Sequence, residues 1–361
     1  MRRRDWKHCS GRWLAARAVA GWHGSLHVIA QAGGNASTNG LGMTATDAST
    51  VVAVAAAVIT QPDGNFLLTC RPAGKPYAGY WEFPGGKVEA EETPLQALGR
   101  ELQEELGIQI QKADPWITRI FNYSHATVCL HFFRITQWYG KPWGREGQQL
   151  SWQSSVNITV SPILPANAPV FRALSLPSVY AITHASQQGV EASLQQIEQA
   201  FRNGLRLIQV REKEMDEKAL RLFSEKVVWL AHDFDARVLL NSNMVLSRQL
   251  GADGVHLTGP QLMTLPERPD QEYGWCGASC HNVEELYQAE KLGLDFVVLG
   301  PVLPTLSHPG IKPLGWQKFA ALIRHYPLPV YALGGLKLDD LVVAQELGAH
   351  GVAMMRGIDG I

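Results

Sequence analysis

Nine positions between Gly86 and Ile108 obey one spacing, G-x5-E-x7-R-E-U-x-E-E-x-G-U with U apolar. Gly86, Glu92, Arg100, Glu101, Leu102, Glu104, Glu105, Gly107 and Ile108 fill it. The run predicts a helix. Thr93 suits its N-cap, Pro94 its first turn, and Gln96 completes a capping box. Gly107 supplies the stop. Leu95, Leu98, Leu102 and Leu106 recur at helical spacing and form an apolar stripe. Glu101, Glu104 and Glu105 fall three and four apart on an adjacent face, so their carboxylates are expected to converge. Hard oxygen donors gathered in this way suit Mg²⁺ or Mn²⁺, which hold the phosphates of a substrate. The Gly85-Gly86 turn before the helix lets backbone approach a ligand closely. A solvated glutamate face is the bland alternative, and the completeness of the spacing argues against it.

This spacing is the Nudix box, and the chain resembles the Nudix hydrolases, which cleave a nucleoside diphosphate linked to another group. Three further runs narrow the resemblance to the MutT branch, the 8-oxo-dGTP diphosphatases. They are Trp81-Glu82-Phe83-Pro84-Gly85-Gly86-Lys87, Pro142-Trp143-Gly144-Arg145-Glu146-Gly147-Gln148 and Leu164-Pro165-Ala166-Asn167. The resemblance implies that the Gly85 carbonyl, Glu101, Glu104, Glu105 and Glu146 ligate metal or position water. It implies that Arg71, Glu82, Phe83, Pro84 and Gly85 line the nucleotide pocket, and that Asn167 reads the oxidised purine edge. The implied reaction is water attack at the β-phosphorus, releasing 8-oxo-dGMP and pyrophosphate in nucleotide-pool sanitation and so avoiding mutation. Glu101 or Glu146 would take the proton; Glu104 completes the implied catalytic set. Pro76 departs from the pattern, standing where the branch often has a histidine.

A chain of 361 residues accommodates two domains, and its net charge of −1 excludes a strongly basic nucleic-acid binder as a whole. No apolar run approaches the roughly 20 residues that span a bilayer. Cys9, Cys70, Cys129, Cys276 and Cys280 form no CxxC pair, consistent with reduced thiols and a cytoplasmic location. Arg2, Arg3, Arg4, Lys7, Arg12 and Arg17 face only Asp5. Residues 1–46 are therefore expected to be a disordered basic extension, and Met43 could be the native start. From residue 51 the pattern is β-rich, with strands expected at 51–59, 66–71, 116–123, 127–138 and 150–152. The expected architecture over residues 47–175 is the Nudix α/β/α sandwich, with a linker around 174–178.

Beyond residue 178 short apolar strands alternate with amphipathic helices. Strands are expected at 179–183, 207–211, 238–241, 254–257, 277–279, 296–300, 330–333 and 351–354, which predicts a (β/α)8 TIM barrel over 178–361. The last barrel helix is expected to be short or missing. Its runs resemble the thiamine-phosphate synthase and TenI family: Gln209-Val210-Arg211-Glu212-Lys213, Gly254-Val255-His256-Leu257, Gly300-Pro301-Val302-Leu303-Pro304-Thr305, Ala332-Leu333-Gly334-Gly335 and Gly351-Val352-Ala353. The resemblance implies that Gln209, Arg211, Lys213 and Asn241 bind pyrophosphate, and that Gly334 and Gly335 bind a second phosphate. A phosphorylated thiazole or pyrimidine is the implied ligand. The departures are at the chemistry. The synthases hold Mg²⁺ with an Asp directly after that Asn and another after the fourth strand. Here Ser242 follows Asn241, and Thr258-Gly259-Pro260-Gln261 holds no carboxylate. His308 stands at the family's lysine, and Pro301 where the tautomerases carry histidine. The sequence therefore reads as a nucleotide hydrolase with an appended phosphate-binding barrel. The alternative is a thiamin-metabolism protein whose barrel is the working half.

Overall fold

The computed structural model describes residues 51–269, 274–305, 310 and 312–357. The basic extension and His308 lie outside the described residues. The first layer system contains seven strands: β1 (Val52–Ile59), β2 (Phe66–Cys70), β3 (Trp81–Glu82), β4 (Gly85–Lys87), β5 (Gln109–Asn122), β6 (Thr127–Tyr139) and β7 (Leu150–Gln153). A mixed sheet runs β4-β1-β6-β5, and a smaller antiparallel sheet runs β3-β2-β7. Helix α1 (Pro94–Leu106) covers one face and α2 (Ala168–Leu174) the other.

Strand β1 shows why the two faces form. Ala55, Ala57 and Ile59 pack with Leu98, Leu102 and Leu106 of α1. Ala56 and Val58 point the other way, into Phe66, Phe83, Phe132, Val170 and Phe171. Successive side chains of a strand alternate in direction, so a strand buried on both faces reads as a continuous apolar run. Each fully buried leucine of α1 stabilises by roughly 1.5–3 kcal/mol. The stripe differs from expectation at one end. Leu95 is exposed, and Ala97 is buried in its place.

The second half closes into a parallel barrel of β8 (Val179–Ile182), β9 (Leu207–Val210), β10 (Arg237–Asn241), β11 (Gly254–Leu257), β12 (Trp275–Cys280), β13 (Phe296–Leu299), β14 (Val330–Leu333) and β15 (Gly351–Met354). Tyr180, Leu207, Leu239, Phe296, Val298 and Tyr331 fill its interior, making it a packed core and not a pore. No helix follows β15 among the described residues.

The N-terminal ends of the barrel strands carry the first half. Arg134 of β6 donates to the carbonyls of Ala349 (2.5 Å) and His350 (3.0 Å), just before β15. Arg119 donates to the Pro327 carbonyl at 3.0 Å, and the Thr118 amide to the Tyr326 carbonyl at 3.1 Å. Arg172 of α2 pairs with Asp295 and lies over the Trp275 ring, 4.1 Å from its centroid. The segment between α2 and β8 is itself packed: Leu176 is buried in the barrel core, and Tyr331 donates to the Pro177 carbonyl. The opposite, C-terminal ends of the strands stay clear of these contacts.

Among the described residues no helix is long and apolar enough to cross a membrane. Cys70 and Cys129 are half-buried free thiols, and Cys276 and Cys280 buried ones.

Candidate functional site

Helix α1 is set by its ends. The Thr93 hydroxyl accepts from the Gln96 amide, and the Gln96 side chain accepts from the Thr93 amide at 2.8 Å. Gly107 closes the helix in the left-handed region at φ 69°. With the leucine face buried, Arg100, Glu101, Glu104 and Glu105 are left on the other side.

Arg100 is the hub. Its guanidinium reaches Glu92 at 2.8 Å, Glu101 at 2.9 Å, Glu104 at 3.4 Å and the Lys87 carbonyl at 3.0 Å. The hydrogen bond to Glu92, then that to Glu101, holds this arginine above its usual pKa, and the Arg100 bond holds the Glu92 carboxyl below its own. The Glu101 carboxylate lies against Gly86: a Cβ added there would sit 2.1 Å from its Cδ. Gly85 pairs with Ala56 of β1, and its φ of 146° places its Cα in contact with the Ala55 carbonyl.

Glu105 is the most electrostatically loaded member. Burial pushes its carboxyl up to about 7, and the neighbouring Glu101, Glu146 and Glu82 charges push the same way against Lys75. Lys75 lies 3.6 Å from Glu105 and 3.1 Å from Glu146. The expected convergence needs one correction. Among the described residues no three acidic or imidazole groups form a ready metal cage. Arg100 draws Glu101 and Glu104 to one side, Lys75 draws Glu105 and Glu146 to the other, and Glu104 is largely exposed. Like charges on one helix face separate toward whichever cations are at hand. The donor set still fits a hard divalent cation. It is all oxygen, and Glu105 carries a desolvated charge surrounded by further carboxylates.

Beside this cluster Arg71 grips both oxygens of Glu82 at 2.6 Å and donates through Nε to the Pro76 carbonyl at 2.7 Å. Proline at 76 thus contributes its backbone to the arginine. Burial raises the Glu82 pKa, with Arg71 opposing. The Pro84 carbonyl accepts from the Ala57 amide. Phe83 is buried, its ring within 5.4–5.8 Å of those of Phe66, Phe132 and Phe171. It forms part of the core beneath the pocket. Asn167 is 3% exposed, and its Nδ2 is a buried donor with no partner among the described residues. Buried amides are rarely left unsatisfied.

Two features escape sequence reasoning. Lys75 is one. The other is an aromatic group in which the Tyr77 ring stands 5.3 Å from Tyr80, 5.4 Å from Tyr123 and 6.0 Å from His125. Burial first, and then the Glu82 charge, pushes the Tyr123 hydroxyl up to about 12, which sets it beside the Arg71–Glu82 pair. A cleft of about 930 Å³ lies on the far side of Arg100, between Leu95, Gly99, Gln103, Lys112 and Glu346, and none of Glu101, Glu104, Glu105 and Glu146 lines it.

In the barrel, Arg211 follows β9 and Asn241 ends β10, both at the C-terminal mouth, with Lys213 exposed nearby in sequence. Gln209 is buried inside and donates to the Tyr180 hydroxyl at 3.0 Å. That hydroxyl meets His256 at 3.2 Å, and His256 meets Ser279 at 3.0 Å. Gly334 and Gly335 follow β14 at φ 107° and 67°, and a Cβ on either would strike the loop from Pro301 to Pro304.

A NUDIX domain model matches residues 50–173, and a thiamine monophosphate synthase model matches residues 179–358. An 8-oxo-dGTP diphosphatase of Haemophilus influenzae is 40% identical over 124 residues, covering 34% of this chain and 91% of that protein. One of Escherichia coli is 38% identical over 121 residues, 34% of this chain and 94% of its own length. A thiamine-phosphate synthase of Desulfitobacterium hafniense is 32% identical over 186 residues, 50% of this chain and 88% of that enzyme. The chain therefore belongs to two families in tandem, the Nudix family through its helix-flanked sheets and the thiamine monophosphate synthase family through its barrel.

Proposed function

We propose that the Nudix half hydrolyses oxidised purine nucleoside triphosphates, 8-oxo-dGTP above all, to the monophosphate and pyrophosphate. The observation that carries this reading is the Asn167 amide, whose Nδ2 is buried with no partner among the described residues and is available to a base edge. An amide both donates and accepts, so it can distinguish a purine edge whose hydrogen-bond pattern oxidation has changed. A base that cannot match it leaves the donor buried and unpaired, which costs about 1–3 kcal/mol. The resemblance to the two diphosphatases over nearly their whole lengths supports the same assignment.

Glu101, Glu104, Glu105, Glu146 and the Gly85 carbonyl would hold Mg²⁺ or Mn²⁺, which when bound neutralises phosphate charge and acidifies water. Water attacks the β-phosphorus, the bond to the α–β bridging oxygen breaks, and Glu101 or Glu146 accepts the proton. Arg100 fixes the orientation of Glu101. Arg71, Glu82 and Pro84 form the nucleotide wall, with Phe83 supporting it from the core side. The work is assigned to the cytoplasm, where a diffusible nucleotide needs neither a membrane nor a nucleic-acid partner.

The barrel mouth is read as a site for a phosphorylated ligand, formed by Arg211, Lys213, Asn241 and the Gly334-Gly335 amides, with Gln209 buttressing it from inside. Pyrophosphate release from 8-oxo-dGTP and from dGTP by the whole chain tests the first assignment. A strong preference for the oxidised nucleotide is expected, and equal rates would leave a general triphosphate pyrophosphatase.

A further inference from the structure

Two places in the barrel carry the aspartates of magnesium-dependent members, the residue after Asn241 and the turn after β11. The structure brings these places together and fills them with neutral groups. Gln261, on the short helix Gly259–Thr264, donates from Nε2 to the Ser242 carbonyl at 2.9 Å. Its Oε1 accepts from both the amide and the hydroxyl of Thr258 at 3.2 Å. Gln261 therefore has both ends engaged, as a helix cap and as a strap across the two loops. Asn241 turns its Nδ2 to the Ser242 hydroxyl at 3.4 Å. No acid stands at 241–243 or 258–262. Mg²⁺ gives up its water reluctantly and is bound through carboxylates together with substrate phosphates. This donor set does not fit it.

The positive charge at the same mouth is, by contrast, without a hydrogen-bonded partner among the described residues, although the neighbouring Glu212 carboxylate partly supports it. No hydrogen bond or ion pair of the Arg211 guanidinium occurs among the described residues, although burial works against its charge. The adjacent Glu212 is spent elsewhere, accepting from the Ala185 amide at 2.7 Å and from the Ser186 amide and hydroxyl at 2.9 and 2.7 Å. Across the mouth, the amides of Gly334, Gly335 and Leu336 have no acceptor among the described residues. Successive amides at positive φ make an anion-binding concavity. With Arg211 and Lys213 as the cations, the positive charge balances one phosphate dianion. A pyrophosphate would remain under-neutralised without a metal.

We propose that the barrel mouth binds a phosphomonoester directly, without a divalent cation. This rests on reading the mouth as a phosphate site, and the experiment separates failure of the two. The whole chain is titrated calorimetrically with inorganic phosphate and with pyrophosphate, each in EDTA and in Mg²⁺. Phosphate is expected to bind in EDTA as tightly as in Mg²⁺, and Arg211→Met to weaken it about tenfold, the effect of one ionic hydrogen bond of roughly 1.4 kcal/mol. Circular dichroism and a parallel Lys213→Met variant guard against a folding defect. Phosphate binding that needs Mg²⁺ and is lost in Arg211→Met would overturn the metal independence and leave the phosphate reading standing. No binding under any condition, or binding indifferent to both substitutions, would overturn that reading as well.

A converse variant rebuilds the vacated positions. Ser242 lies at φ 58°, a conformation that Asp tolerates better than Ser, so Ser242→Asp is compatible with the backbone. Gln261→Glu keeps the capping acceptor. The double variant is expected to gain a Mg²⁺-dependent pyrophosphate site that the unsubstituted chain, measured in parallel with its Nudix half intact, lacks. Absence of any Mg²⁺ effect beyond that of the unsubstituted chain would mean that these two residues do not exclude the metal, and the inference would fall.

Discussion

Gly85 and Gly86 are adjacent, yet a methyl group added to each would meet a different obstacle. At Gly85 it would strike the Ala55 carbonyl at 2.1 Å, on a backbone at φ 146°. Neither can move without breaking the β1–β4 pairing, so Gly85→Ala should destabilise the protein by more than about 1 kcal/mol. At Gly86 the methyl would meet only the Glu101 carboxylate, the far end of a flexible side chain. Gly86→Ala should therefore fold with a nearly unchanged denaturation midpoint. It should nevertheless turn the carboxylate away from the substrate phosphates, with a loss of hydrolysis on the order of 100-fold or more, as for a displaced acid–base group. Urea melts and steady-state pyrophosphate release on both variants check the pair. A Gly86→Ala protein with full turnover would show that the Glu101 position does not matter to the reaction.

At the scale of elements, what was legible in the sequence had local causes. Helix α1 declared itself through Thr93, Gln96 and Gly107, and the barrel strands through short apolar runs, several matched to the residue at both ends. The two-residue β3 and three-residue β4 were not legible, because Trp81–Glu82 and Gly85–Lys87 are too short to show a period and flank a proline. Lys75 gave no signal because its partner Glu146 lies 71 residues away. The joint between the halves was equally hidden: Arg134, Arg119 and Thr118 meet backbone carbonyls, which every residue possesses. That joint can be tested. Arg134 is half-buried, the burial of its guanidinium draws its pKa down to about 10, and it satisfies two carbonyls at once. Arg134→Met should leave those acceptors unpaired at about 1–3 kcal/mol each. Calorimetry is expected to show a lower, broadened transition that splits into two as the halves uncouple. A single transition at the original temperature would mean that the carbonyls find water and the joint does not depend on the arginine.

For the whole molecule, the barrel interior makes stability depend on pH. His256 and His350 are both buried, and burial, aided by Arg211 in one case and Arg134 in the other, draws each imidazole down to about 3. His350 also accepts the backbone joint from Arg134, and its ring lies 5.7 Å from that of Trp116 at a tilt of 36°, so its charge state bears on both halves. His131, at the outer edge of the same joint, is lowered as well, by burial and then by His325. In the unfolded chain these imidazoles titrate near 6.5, so below that pH the unfolded state binds protons that the folded state refuses. The stabilisation is therefore complete above about 6.5 and drains away as the pH falls toward 3. Between pH 7.5 and 5.5 each of the two deeply buried histidines should withdraw about 1.4 kcal/mol, while the Glu105 carboxyl, held at about 7 in the folded protein, takes up a proton over the same range and returns roughly 1.8 kcal/mol, leaving a net loss of about 1 kcal/mol. Urea denaturation across that range measures the loss, and His350→Gln should lower the slope by about one proton. A His350→Gln protein whose slope matches that of the unsubstituted chain would mean that the barrel opens to hydrate this histidine, and that its interior is looser than its packing implies.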